Sequence, residues 1–224
     1  VSVRKPKRLP PEELAPYTLE VPGPPVGRPP PESAHPPEPL DWRAVFGNEG
    51  PVELEVGFGK GLFLLTAAAA QPQVNFVGVE IVRKYQLFTA TRLALRKLTN
   101  VRVACTDARW FLKERVPPGS LQTVHLYFPD PWWKKRHHKR RVFTDEFVTD
   151  SERALRPGGR LSLATDVEEY YSMMRELVAG HPAFRELPPP EPSRAANDLD
   201  YLTNFERKYR LEGRPIYRAA YEKR

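Results

Sequence analysis

The 224-residue chain has one cysteine, Cys105. That excludes an internal disulfide framework and a cysteine-rich zinc site, and it points to a reducing, cytoplasmic setting. No stretch approaches the eighteen or more apolar residues of a membrane span, and no signal-peptide core opens the chain. A membrane-embedded or secreted protein is therefore not expected. Internal repeats are lacking as well. Acidic residues are absent from Trp132 to Arg141, while that stretch holds six Lys/Arg residues and two histidines.

What is abundant is unevenly placed. The net charge is +7, yet the 132–141 run carries +6 and the segment from Glu206 to Arg224 carries +4, leaving the rest of the chain at −3. Two basic patches on a mildly acidic body suggest a polyanionic partner, most often nucleic acid, although a single basic run can also be a solvated loop. Of 26 prolines, 13 fall in residues 1–40. Proline fixes φ and lacks the backbone donor, so this stretch is expected to be an extended arm without helix or central strand. The folding domain is then 41–224.

That domain alternates strand and helix patterns. Strands are predicted at Val52–Val56, Val74–Val79, Val101–Cys105, Thr123–Phe128 and Leu161–Ala164, and beyond them come Phe184–Leu187, a proline-rich loop and a final segment ending in Ile216–Tyr221. Helices are predicted at Lys60–Ala70, Arg83–Leu98, Ala108–Arg115, Thr144–Leu155 (Thr144 as N-cap) and Val167–Ala179, with Pro157-Gly158-Gly159 turning the chain. Such alternation predicts an α/β fold: a mostly parallel sheet with helices on both faces, and ligands bound beyond the carboxyl ends of the strands. Gly57, Glu80, Asp107, Asp130 and Asp166 all lie at those ends.

Glu55-Val56-Gly57-Phe58-Gly59-Lys60-Gly61 follows the first strand. It lacks the Gly-Lys-Ser/Thr of a Walker loop, and Leu62 stands where a dinucleotide fingerprint has its third glycine. Glu80 is placed to accept from both hydroxyls of a ribose, and Asp107 from an adenine amino group, although either acid alone is more often a loop or capping residue. Together after a glycine loop they favour an adenosine-containing ligand that is cationic, since carboxylates repel phosphate. His137 and His138 are adjacent and complete no zinc site, so no metal is expected. His125, inside a strand, reads as structural.

Phe128-Pro129-Asp130-Pro131-Trp132-Trp133-Lys134-Lys135-Arg136-His137-His138-Lys139-Arg140-Arg141 is the most informative stretch. It resembles the signature of the tRNA (guanine-N7)-methyltransferases, similar to FPDPW-x-KKRH-x-KRR. Leu54–Gly59, Gly78–Glu80, Asp107-Ala108, Ala164–Asp166 and Thr203–Arg207 follow in family order. Trp133 departs from the pattern, as do Ile81-Val82, and the arm is not part of the shared core. The resemblance implies a Rossmann-like methyltransferase fold with a seven-stranded sheet. It also implies methyl transfer from S-adenosylmethionine to N7 of a guanine in tRNA, the variable-loop guanine at tRNA position 46.

Carried over by residue, the resemblance implies that Glu55, Gly57, Gly59, Glu80, Asp107 and Asp130 contact S-adenosylmethionine, with Asp130 catalytic. Lys134, Asp166, Thr203, Asn204, Phe205 and Glu206 match positions assigned to the target guanosine. Arg136, His137, His138, Lys139, Arg140 and Arg141 match a segment assigned to tRNA contact. Guanine N7 has a free in-plane lone pair and needs no deprotonation, so positioning and a carboxylate near the developing purine cation are what the chemistry requires. Two other readings stay open: a related methyltransferase acting on a small molecule or another RNA, and an RNA-binding module with a vestigial cofactor site.

Overall fold

In the computed structural model, which describes residues 9–21, 23, 37–132, 136, 140–188 and 203–224, seven strands join in one sheet. They are β1 (Val52–Val56), β2 (Asn75–Glu80), β3 (Val101–Cys105), β4 (Leu121–Tyr127), β5 (Leu155–Thr165), β6 (Phe184–Leu187) and β7 (Tyr217–Lys223). Their spatial order is β3-β2-β1-β4-β5-β7-β6. The first five are mutually parallel, and β7 runs antiparallel between β5 and β6. The strand order reverses between β1 and β4, so the ligand crevice is expected over their carboxyl ends.

Helices α3 (Leu62–Ala70), α4 (Arg83–Arg96), α5 (Ala108–Glu114), α6 (Asp145–Ala154) and α7 (Glu168–Ala179) connect the strands, and α8 (Asn204–Leu211) precedes β7. Ahead of β1 lies the short α2 (Trp42–Phe46), capped by the Asp41 side chain and ended by left-handed Gly47. Residues of α5, α6 and α7 (Phe111, Phe147, Met174) share one core cluster with Val52, Leu54, Val56, Val124, Leu126 and Leu161. Residues of α3 and α4 (Phe63, Leu64, Ala90, Leu93) share the other with Phe76 and Val103. Strand side chains alternate between faces, so this is the two-layer cover that a parallel sheet requires. Each fully buried Leu or Phe in these layers contributes about 1.5–3 kcal/mol.

Two expectations change. Within the arm, Pro11–Leu14 forms a short helix, α1, followed by a 3-10 turn over Ala15–Tyr17. Prolines here sit in the first turn, where the missing N–H has no intrahelical partner to lose. Leu14 and Tyr17 are buried, and Leu19 N donates to Val103 O at 3.0 Å, so the arm covers the open edge of β3. Second, the Pro157-Gly158-Gly159 turn does not separate helix from strand. Leu155 already pairs with Leu121 and Arg160 with Thr123, so residues 156–159 bulge within β5, with Gly158 at φ 74°.

Candidate active site

Glu55, Glu80, Asp107, Asp130 and Asp166 lie at or just beyond the carboxyl ends of β1, β2, β3, β4 and β5. Gly57, Gly59 and Gly61 all have left-handed φ (74°, 51° and 68°), which turns the chain from β1 into α3 within a few residues. Gly61 is constrained twice: a Cβ there would lie 2.3 Å from Thr89 Cγ2 of α4. Glu80 ties this loop down. Its Oε2 accepts from Gly59 N at 2.9 Å and its Oε1 from Val82 N at 3.0 Å. A carboxylate has roughly four acceptor positions, so both oxygens retain capacity for ribose hydroxyls.

Glu55, at the end of β1, is 3% exposed, and its Oε2 has no hydrogen-bond partner. Burial, reinforced by the charge of Glu80, pushes its carboxyl well above the ordinary range. An orphaned buried carboxylate oxygen beside a second acid fits a cationic ligand that supplies donors. Asp107 fits less simply. Its Oδ1 caps α5 by accepting from Arg109 N (2.9 Å) and Trp110 N (3.3 Å), and Oδ2 lies 3.6 Å from Arg109 Nη2. The capping role accounts for its spacing, and Oδ2 takes no part in the cap. Beside it, Thr106 Oγ1 is buried without a partner, and Gly23 of the arm passes so close that a Cβ would meet Thr106 and Trp110.

Asp130 is exposed in a loop whose backbone is unusual. Phe128 (φ 52°) and Trp132 (φ 44°) are left-handed non-glycine residues two positions on either side of it. Bulky residues adopt that conformation at a cost of about 1–3 kcal/mol each and only where neighbours enforce it. The neighbours are identifiable. Phe128 N donates to Ala164 O at 2.7 Å, and its ring packs against Tyr209 and Phe205. Arg141 Nε donates to Pro131 O at 2.7 Å, its Nη1 approaches Met173 Sδ at 3.5 Å, and its guanidinium lies 5.3 Å over the Tyr170 ring. Arg140 lies 5.1 Å over the Trp132 ring.

Asp166, at the end of β5, is paired with Arg214. Thr203 caps α8 by accepting from Glu206 N at 3.0 Å. Glu206 is 2% exposed and accepts from Arg218 Nη2 at 2.5 Å, with Arg210 Nη1 at 3.5 Å. Asn204 and Phe205 are exposed on the same turn. Arg136 and Arg140 are exposed on the basic run, whereas Arg141 is half-buried and turned onto the Asp130 loop. Lys134, His137, His138, Lys139 and Trp133 lie outside the described residues.

The sequence reasoning missed a buried polar network behind the site. Glu53 Oε2 lies 2.8 Å from His125 Nε2, His125 Nδ1 lies 2.7 Å from the Tyr127 hydroxyl, and that hydroxyl lies 3.2 Å from Ser162 Oγ. The period-two spacing of Glu53/Glu55 and His125/Tyr127 was the available signal, since it puts all four on the α3 face of the sheet. It also missed the arginine partners of Asp166 and Glu206. No group of three or more His, Cys, Asp or Glu residues able to hold a metal occurs among the described residues, nor does a helix long and apolar enough to cross a membrane.

Residues 49–219 match a family model described as "Putative methyltransferase". The chain is 44% identical over 194 residues to a tRNA (guanine-N(7)-)-methyltransferase of Rhodopirellula baltica, covering 84% of this chain and 72% of that protein. It is 38% identical over 185 residues to the protein of the same name from Geobacter metallireducens, covering 83% and 88%. Among solved structures it resembles an S-adenosylmethionine-dependent methyltransferase from Aquifex aeolicus, with TM-score 0.54 and 12% identity over 79% of this chain and 84% of that one. The last likeness shows the fold: a Rossmann-like methyltransferase sheet.

Proposed function

Because the chain belongs to the tRNA (guanine-N7)-methyltransferase family, we infer that it methylates N7 of a guanine in tRNA and that the acids at the strand ends divide the work. S-adenosylmethionine, when bound, supplies an electrophilic methyl group on a cationic sulfur. Glu80 and the Gly57–Gly61 loop hold its ribose side, Asp107 Oδ2 its adenine, and Glu55 balances its positive charge. The observation that carries the reading is the Asp130 loop. A carboxylate is fixed at the end of β4 between two left-handed residues, each held by named contacts, where a methyl acceptor has to approach.

The protein's own groups then have three tasks. Asp130 stands beside a purine that becomes cationic as N7 is alkylated, and a preorganised carboxylate favours that charge without moving. Asp166 accepts from the N1–H and 2-amino group of guanine, a donor pair adenine lacks, and Glu206, held by Arg218, supports that subsite. Arg136 and Arg140, with Lys134, His137, His138 and Lys139, contact RNA phosphates, giving affinity that falls with salt. Positioning supplies most of the remaining rate, since N7 needs no general base. Residues 41–224 form the catalytic domain, the described part of the preceding arm packs on its sheet edge, and the enzyme works in the cytoplasm with its tRNA.

Incubating the protein with labelled cofactor and bulk tRNA, then mapping N7-methylguanine by borohydride–aniline cleavage, tests this directly. Cleavage at a variable-loop guanine is expected. Retained tRNA binding with no methyl incorporation favours an RNA-binding module instead, and transfer to a small molecule alone favours a different methyltransferase.

A further inference from the structure

Arg214 makes two contacts at once. Its guanidinium pairs with the Asp166 carboxylate, whose side chain is 9% exposed, and it lies over the Tyr209 ring with 4.2 Å from its central carbon to the ring centroid. A third group, Glu212 Oε2, stands 3.9 Å from its other terminal nitrogen. Tyr209 in turn packs against Phe128 and Phe205, so its ring belongs to the wall of the Asp130 loop. A planar cation thus sits between a carboxylate and an aromatic face at the mouth of the site.

Guanine presents the same chemistry. Its N1–H and 2-amino group form a planar two-donor fork, as a guanidinium does, and its ring stacks on an aromatic face. We propose that Arg214 is a placeholder in the guanine subsite: it occupies Asp166 and Tyr209 in the free enzyme, yields both to the target guanine, and moves to an RNA phosphate. This deepens the guanine-recognition reading and rests on it.

The exchange solves an electrostatic problem. Asp166 without a partner would be a nearly buried, uncompensated charge when no RNA is bound, and Arg214 removes that cost. Arg214 itself is 42% exposed along its side chain, so release into solvent or onto a phosphate is sterically open. Glu206 has a firmer arrangement, since Arg218, only 13% exposed, approaches it at 2.5 Å. The two acids therefore differ: Glu206 keeps its arginine and Asp166 exchanges it. No bond is made or broken in the exchange except hydrogen bonds, and charge is conserved because the freed cation meets a phosphate.

Two measurements on the full chain test it. In Arg214→Met, guanosine should inhibit tRNA methylation at several-fold lower concentration than in the wild type, because the competitor for Asp166 is gone. The log–log salt slope of tRNA binding should become shallower by about 0.7, one phosphate contact on a single strand. Arg214→Lys should keep the slope. Unaltered or weaker guanosine inhibition with an unaltered slope overturns the proposal and leaves Arg214 as a structural ion pair. If Arg214→Met does not fold, side-chain NMR of the wild type decides. Adding guanosine should shift the Arg214 Nε–H resonance and speed its exchange with solvent, and an unmoved resonance at saturating guanosine overturns the exchange. Wild-type protein that methylates no tRNA guanine overturns the function reading as well, which separates the two failures.

Discussion

Glu53 of β1 and His125 of β4 face each other inside the sheet, Oε2 to Nε2 at 2.8 Å, both under 10% exposed. The register that pairs Glu53 with Thr123 and Glu55 with His125 stacks these side chains on the α3 face, where Phe63 covers the imidazole at 4.5 Å between ring centroids. Gln122 Nε2 and Thr123 Oγ1 donate to the second oxygen of Glu53 at 2.8 and 3.2 Å. Removing the carboxylate strands three partners at once. Glu53→Ala should destabilise the protein by about 3–5 kcal/mol, the range for breaking a buried pair from one side. Urea unfolding at neutral pH checks this.

The same contact sets an acid dependence. Burial by itself would raise the Glu53 carboxyl, but the hydrogen bond and charge of His125, with Gln122 and Thr123, outweigh it and hold the carboxyl below its ordinary value. A folded value below the unfolded one means stability that is present at neutral pH and lost as pH falls through the lowered folded value. Wild-type stability should therefore decline on acidification more steeply than that of Glu53→Ala. Parallel decline of the two proteins counts against the assignment.

Much of the fold was legible because the strands carry apolar residues, mostly valine, at alternate positions: Val52, Leu54 and Val56, then Val77 and Val79, then Val101 and Val103. The acids were legible one by one, because a parallel strand delivers its terminal residue to the ligand side whatever its neighbours do. Pairings across long stretches of chain were not. Arg214 reaches Asp166 across 48 residues, and nothing in the local pattern distinguishes it from Arg210 or Arg218. Within the basic run Arg141 looked like its neighbours, and only packing against Tyr170 and Met173 turns it inward. The α1 turn was hidden by prolines that a first helical turn tolerates.

Glu55 gives cofactor binding a pH dependence. Its carboxyl is held well above the ordinary range by burial and by Glu80, so the protonated form of the free protein persists to higher pH than for an ordinary glutamate. A bound cation favours the ionised form and lowers that value, so binding releases a proton and tightens as pH rises through the raised value. Calorimetry of S-adenosylmethionine binding in buffers of different ionisation enthalpy should show proton release. In Glu55→Gln the release should vanish and the affinity should become flat with pH. Equal proton release in both proteins would place the titrating group elsewhere.

Asp130→Asn keeps the size of the side chain and its loop while removing the charge. Loss of one preorganised electrostatic group costs on the order of 10²–10³ in turnover. The tRNA affinity should stay near wild type, because phosphate contacts are made by other residues. Single-turnover methylation measured alongside equilibrium tRNA binding checks the split. A fall in affinity with unchanged turnover would move Asp130 from the chemistry to RNA recognition.

Arg140 and Arg141 are adjacent in sequence but should fail in opposite ways. Arg140 is exposed and stacked on Trp132, with its charge available to a phosphate, whereas Arg141 spends Nε on Pro131 O and packs on Tyr170 beneath the Asp130 loop. Arg140→Ala should flatten the log–log salt slope of tRNA binding by about 0.7–0.9, one phosphate contact, with a modest effect on turnover. Arg141→Lys retains the positive charge yet has no Nε–H at the position that meets Pro131 O, so the left-handed Trp132 loses one of its supports. A 1 Å displacement of a reacting group can cost about 10² in rate, so turnover should fall while the salt slope stays. Measuring both slopes and both single-turnover rates separates loop support from RNA contact. If Arg141→Lys flattens the slope and leaves turnover intact, its guanidinium leaves Pro131 when tRNA binds and belongs with the RNA-contacting set.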